Sequence, residues 1–345
     1  MVGRIGKVVL TLAVTLSLLS CSDDSGAPED FYRGKTIQVL IGMSAGGAYD
    51  VYARMLARHM GKHIPGNPRL VPANMEGAGS LTLTNHLYNV AAKDGTVIGT
   101  VSRGAPFEPL IGEQQLARFD PAQFTWIGSI ANEVSVCAAW NRAGIDKFDQ
   151  LLTRELAVGG TGSGADTNQF PKIMNGVLGT KLKIVSGYPG GNNIDLAMER
   201  GEVDGRCGWS WSSVKSTRQA WLDAGSIKVL VQLALQKHPD LPDVPLILDY
   251  AKTDEERAML RLIFSRAALG CPFLAPPGIP ADRAAMLRKA FDDTMKDPEF
   301  LAEAMQALLE VSPVKGEELQ QLIADIYQTP RDVVEKTRTI VMRGT

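Results

Sequence analysis

Thr36-Ile37-Gln38-Val39-Leu40-Ile41-Gly42-Met43-Ser44-Ala45-Gly46-Gly47-Ala48-Tyr49-Asp50 reads as a strand, a glycine loop and the start of a helix, and the class of the fold follows from it. Ile37, Val39, Leu40 and Ile41 are nearly continuous apolar residues, the pattern of a strand covered on both faces in a parallel sheet. Gly46-Gly47 lets the backbone turn with either sign of φ and leaves its N–H groups without side-chain cover. Asp50 can cap the helix that follows, in which Arg54, Arg58 and Lys62 recur on a solvated face while Val51, Met55 and Leu56 point inward. Unpaired donors and the positive end of a helix dipole then meet at one spot, a seat for an anion. Taken alone, the glycine pair also fits an ordinary βα turn. No Lys-Ser or Lys-Thr follows it and no dinucleotide fingerprint is present, which excludes a P-loop and makes a carboxylate the better-matched anion.

The same unit recurs downstream. Residues 69–73 form a second strand that leads into Glu76-Gly77-Ala78-Gly79-Ser80 and a helix marked by Leu81, Leu83 and Leu87. Residues 96–101 form a third, ending at Ser102-Arg103-Gly104. Repeated βα units of this kind build an open α/β sheet, whose ligands bind beyond the carboxyl ends of the strands. Gly46-Gly47, Gly79-Ser80 and Ser102-Arg103 are therefore expected to face one crevice.

After residue 130 the pattern starts again. A strand over 156–158 is followed by the loop Gly159-Gly160-Thr161-Gly162-Ser163-Gly164-Ala165-Asp166-Thr167 and a helix. Residues 182–185 run into Ser186-Gly187-Tyr188-Pro189-Gly190-Gly191 and a further helix, and a strand over 206–211 carries Trp209 and Trp211. The expected layout is two α/β domains, one made of residues 31–130 with 245–345 and the other of 131–244, closing on each other as a clamp. A chain of 345 residues is long enough for two such domains.

The N-terminus reads as a targeting segment. Arg4 and Lys7 precede an uncharged, mostly apolar run over 8–20, shorter than the ~20 residues of a spanning helix. Ser20-Cys21 closes that run like a bacterial lipobox, so residues 1–20 are expected to be a signal peptide, Cys21 the lipidated residue and 21–30 its tether. Cys137, Cys207 and Cys271 remain, in an oxidising compartment; one disulfide plus one buried thiol, or three buried thiols, both fit. With 36 basic and 38 acidic side chains the chain is nearly neutral, which gives no support for nucleic acid or a broadly adherent membrane surface.

Ser44-Ala45-Gly46-Gly47-Ala48-Tyr49-Asp50, Glu76-Gly77-Ala78-Gly79-Ser80 and Asp94-Gly95-Thr96 together resemble the first domain of the tripartite tricarboxylate transporter receptors, the Bug solute-binding proteins. Gly187-Tyr188-Pro189-Gly190-Gly191 with Glu202-Val203-Asp204 is similar to the second-domain pattern of that family. Later segments, Pro239-Asp240-Leu241-Pro242 and Leu274-Ala275-Pro276-Pro277-Gly278, resemble its remaining signatures. The resemblance implies a two-domain Venus-flytrap periplasmic-binding-protein fold with the ligand cleft between domains. It also implies extracytoplasmic capture of a small carboxylate for a membrane permease. The chain departs from the family at Met43-Ser44, where members carry a Pro and an apolar residue, and at Tyr188-Pro189-Gly190, which lacks a basic residue. Arg103 is the candidate to supply that charge, as a bidentate partner for a carboxylate.

The expected ligand positions are Ser44, Ala45, Gly46, Gly47, Tyr49, Asp50, Gly79, Ser80, Ser102, Arg103, Thr161, Ser163, Gly164, Thr167, Tyr188, Gly190, Gly191 and Trp209. No catalytic residue, cofactor or metal is expected. The histidines fall at His59, His63, His86 and His238, none in a glycine loop; His59 and His63 lack the intervening Glu of a zincin helix. Asp50, Asp166 and Asp204 fit caps and turns better than an acid/base pair. The expected protein is a lipid-anchored monomer of the periplasm or cell surface, its only hold on the membrane the lipid. A ligand-sensing lipoprotein and an extracytoplasmic hydrolase are the alternatives.

Overall fold

The computed structural model describes residues 1–3 and 31–342, apart from Ser44, Gly47, Glu113, 162–164 and 189–190. Residues 4–20 of the expected signal peptide, Cys21 and the rest of the expected tether lie outside the described residues, as do the expected ligand positions Ser44, Gly47, Ser163, Gly164 and Gly190. Among the described residues no helix is long and apolar enough to cross a membrane.

Two sheets organise the chain. The first joins β1 (Thr36–Ile41), β2 (Arg69–Asn74), β3 (Val97–Thr100) and β4 (Thr125–Ser129) with the late strands β10 (Pro272–Ala275) and β11 (Val314–Lys315). Its order is β11-β4-β10-β3-β1-β2, with β1 parallel to both β2 and β3, and β10 antiparallel to β3 and β4. The second contains β5 (Ser135–Trp140), β6 (Leu156–Gly160), β7 (Leu182–Ser186), β8 (Gly205–Ser210) and β9 (Ile227–Leu233), in the order β7-β6-β8-β5-β9. Ile37, Val39 and Ile41 are fully buried, as a strand with a neighbour on each side and helices on its faces requires.

Two segments cross between the sheets. Ile130 to Val134 links β4 to β5, and the stretch before β10 brings the chain back. They run side by side: the Glu133 N–H donates to the Ala267 carbonyl at 3.1 Å and the Ile130 N–H to that of Cys271 at 3.2 Å. The return thus comes about twenty residues later than the expected 245. The buried Gln232 of β9 explains it. Its amide donates to the carbonyls of Leu241 at 2.9 Å and Val244 at 2.8 Å, fixing the proline-rich connector to the second sheet. The helix Asp254–Phe264 then stays there too, with Phe264 edge-on to Phe170 at 4.8 Å between centroids. The last helix, Arg331–Met342, packs against Glu108–Ile111 of the first domain and Asp166–Ile173 of the second. It therefore straps the two together.

Cys137 and Cys207 face each other on β5 and β8 and form a disulfide, while Cys271 is a free, buried thiol. Of the two cysteine arrangements open to the sequence, the structure takes the first.

Candidate functional site

A cavity of about 500 Å³ opens between the two sheets. Tyr49, Ser102 and Arg103 line it from the β1 and β3 ends. Thr161, Asp166, Thr167, Gly191, Arg206 and Ser210 line it from the second domain, and Glu133, Arg266 and Cys271 come from the crossing segments. The parallel strands β1, β3 and β6 all point their carboxyl ends at this space, as open α/β sheets do.

The polar groups of the β3 loop are already matched within the fold. Ser80, fully buried, donates its hydroxyl to the Gly42 carbonyl at 2.9 Å and accepts from the Ser102 N–H at 3.0 Å, which clamps the β1 and β3 loops together. The Tyr49 hydroxyl accepts from the Arg103 N–H at 3.2 Å, and the Ser102 hydroxyl from the Gly104 N–H at 3.3 Å. The Ser102 and Arg103 segment was expected to face a ligand; instead the fold itself satisfies its amides, since a buried N–H left unpaired is costly. The cavity's positive charge comes from guanidinium groups.

Arg103 reaches across the cleft to the Asp166 carboxylate, whose other oxygen receives Arg266 at 3.1 Å. Arg266 also donates to Gln169 at 2.8 Å and is only 3% exposed. Burial pushes the Asp166 carboxyl up, but Arg103 and then Arg266 outweigh it and hold the group below the ordinary carboxylate range. Asp166, read from sequence as a cap, is no cap: it opens the helix Asp166–Ile173, and its side chain spans the two domains. The sequence signal was local, whereas both of its partners are distant in the chain.

A second aspartate sits behind the far wall. Asp195, 1% exposed, receives Arg206 at 2.8 Å and Arg218 at 3.0 Å. A Cβ at Gly191 would press on the Arg206 guanidinium, which would have to shift to make room. Gly208 turns the end of β8 at φ +73°, with the Asp166 carbonyl so near that a Cβ would lie 2.7 Å from it. Glu133 is held by the hydroxyls of Ser210 and Ser212, the latter at 2.9 Å. Lining the cavity are three guanidiniums against the two carboxylates of Glu133 and Asp166, so the balance is positive.

Of the expected ligand positions, Tyr49, Ser102, Arg103, Thr161, Thr167 and Gly191 come together here. The Thr161 N–H donates to the Thr167 hydroxyl at 3.1 Å, closing their loop. Gly79 lines an adjoining cavity, and Ala45 and Gly46 are exposed at the loop tip. Asp50 is turned away, its carboxylate taken by Arg54, Asn74 and the Gly46 N–H, each at 2.9 Å. Trp209 is fully buried beside Trp221 and lines no part of the cavity, and Tyr188 packs in the same cluster. Tyr52, Glu133, Arg206, Ser210, Arg266 and Cys271 were missed. One signal existed: Arg266 is the single charged residue between Arg261 and Asp282, and a charge in so apolar a stretch must be paired if it is buried. Outside the cleft, His59, Asp297 and Glu299 approach metal-ligand geometry, but the Lys62 ammonium already lies 2.6 Å from both carboxylates.

No protein-family model matches the chain, and no curated protein does. Solved structures do. A TctC solute-binding protein from Polaromonas superposes with a TM-score of 0.69 at 16% identity, over 88% of this chain and 99% of that one. The periplasmic binding protein BugD gives 0.58 at 21% identity, over 90% and 98%. This is the fold of the TctC and Bug solute-binding proteins. MatC from Rhodopseudomonas palustris, solved with bound malate, shares it at a TM-score of 0.60 and 19% identity, over 87% and 99%. Each superposition spans nearly nine-tenths of this chain, so it takes in both sheets and the cleft between them.

Proposed function

We propose that the chain is the extracytoplasmic receptor of a tripartite tricarboxylate-type transporter, closing its two domains over a small organic carboxylate and presenting it to a membrane permease. The observation that carries this reading is Arg103, which reaches across the cleft to grip a carboxylate of the protein itself. Guanidinium groups take carboxylates through paired N–H donors, so a site that holds Asp166 is chemically fitted to hold a ligand's carboxylate beside it. The positive balance of the cavity and the malate bound by the similarly folded MatC support the same class of ligand. Binding without turnover is the expected activity: among the described residues no histidine lines the cavity, and its thiol, Cys271, is pushed up to about 12 by burial, with Thr100 opposing. In this reading residues 1–20 direct export, Cys21 carries the lipid anchor, and the receptor works as a monomer at the periplasmic or outer face.

A thermal-shift panel of dicarboxylates, tricarboxylates, aromatic acids and amino acids tests the proposal, with turnover assayed on each hit. A carboxylate that stabilises the protein and is recovered unchanged is the expected result. Arg103→Gln should weaken that hit by at least tenfold in titration calorimetry. Product formation, or full affinity in Arg103→Gln, overturns the reading.

A further inference from the structure

Ser102 and Gly104 do not face the arginine-lined cavity alone. Both residues, with Ala165, also line a second cavity of about 500 Å³ that adjoins the first along this shared wall. Its character is different. Apolar side chains dominate it: Met43, Leu81, Ala105 and Leu116 from the first domain and Met342 from the strapping helix. Leu81 and Ala105 are 5% and 2% exposed, so the wall is part of the packed core and not a loose surface. Among the described lining residues the charged group is the Glu108 carboxylate, which lies near enough to Arg266 to influence it.

We propose that this annex receives the apolar tail of the ligand, making the substrate an amphipathic monocarboxylate whose head sits at Arg103 and Arg266. The inference rests on the receptor reading above and narrows it. A four-carbon diacid such as malate fits within the first cavity and leaves the second without an occupant. Apolar walls of this size reward methylene groups, since each one buried is favourable and makes no demand for hydrogen bonds. A second carboxylate on the tail would be driven into an apolar space beside Glu108, where like charge and desolvation both oppose it. Gly104 is the seam. It adopts ordinary helical φ and ψ, and a Cβ there would meet Ser102 and Arg266 at 3.7 and 3.8 Å, the junction of head and tail.

Titration calorimetry on the exported chain with butanoate, hexanoate, octanoate and decanoate, alongside adipate and octanedioate, tests this directly. Affinity should rise roughly fourfold for each added methylene up to the capacity of the annex. Octanedioate should bind at least tenfold more weakly than octanoate. Leu116 stands half-exposed at the rim, so Leu116→Asp should fold normally, as thermal unfolding will report, and should cut the octanoate-to-butanoate affinity ratio by at least tenfold. Diacids binding tightly with no dependence on chain length would overturn the tail site and leave the receptor reading standing. Failure of every carboxylate to bind would overturn both.

Discussion

Asp50 and Asp166 occupy matching places in the two domains, each at the start of the helix that follows a domain's glycine-loop strand, yet they spend their charge differently. Asp50 is satisfied at home: Arg54 lies one turn along the same helix, Asn74 ends the neighbouring strand, and the Gly46 N–H belongs to its own loop. Asp166 takes partners from outside its domain's sheet, Arg103 after β3 and Arg266 at the return crossing. One aspartate holds a loop in shape; the other holds the cleft together. The contrast shows that a sequence position is defined by its neighbours in space, and that only the first kind of neighbour can be read along the chain.

Asp166→Asn should have the largest effect on stability, because it strips the counter-charge from the buried Arg266 and the part-buried Arg103. Removing one partner of a buried pair costs about 3 kcal/mol or more, read here by urea unfolding of the ligand-free protein. A loss smaller than that of Asp50→Asn would break the comparison. For Asp50→Asn the expected loss is about 2 kcal/mol at neutral pH. Hydrogen bonds led by Arg54 lower the Asp50 carboxyl from its usual 3.8 to about 2 against the opposing effect of burial. A depressed native pKa stabilises above the unfolded value, so this contribution is complete above about pH 4 and disappears as pH falls towards 2. Wild type and Asp50→Asn should therefore converge in acid, and a gap that persists unchanged at pH 2 would contradict the assignment. Arg54→Ala should be the mildest of the three in the same urea series, since that side chain is 38% exposed and water screens much of the pair.

Most of the frame was legible before any coordinates. β1, β2, β3, β6, β7 and β8 stand close to where the sequence pattern placed them, and for β1 the reason is that a strand covered on both faces must be written in consecutive apolar residues. Arg103 was legible as well, as a cation at the carboxyl end of a strand. Arg206 and Glu133 were not: each sits in a stretch that reads as ordinary strand or linker, Arg206 pairing with Asp195 on the preceding helix and Glu133 with Ser210 and Ser212, far away in sequence. Trp209 failed in the opposite direction. Its side of β8 faces the second domain's core, and alternation along a bulged strand does not reveal which face meets the cleft.

By itself the sequence determined the α/β class, the strand–loop–helix units and the loop-to-helix start at Asp50, all properties carried by residues within a few positions of each other. Only the tertiary structure decided that the chain returns to the first sheet at Ala267 to Cys271, that Cys137 pairs with Cys207, and that Asp166 bridges two distant arginines. The reason is physical. Local hydrogen bonds and periodic burial act through the backbone's own geometry, whereas a buried charge is stable only beside its counter-charge, and where that lies is settled by how whole domains pack.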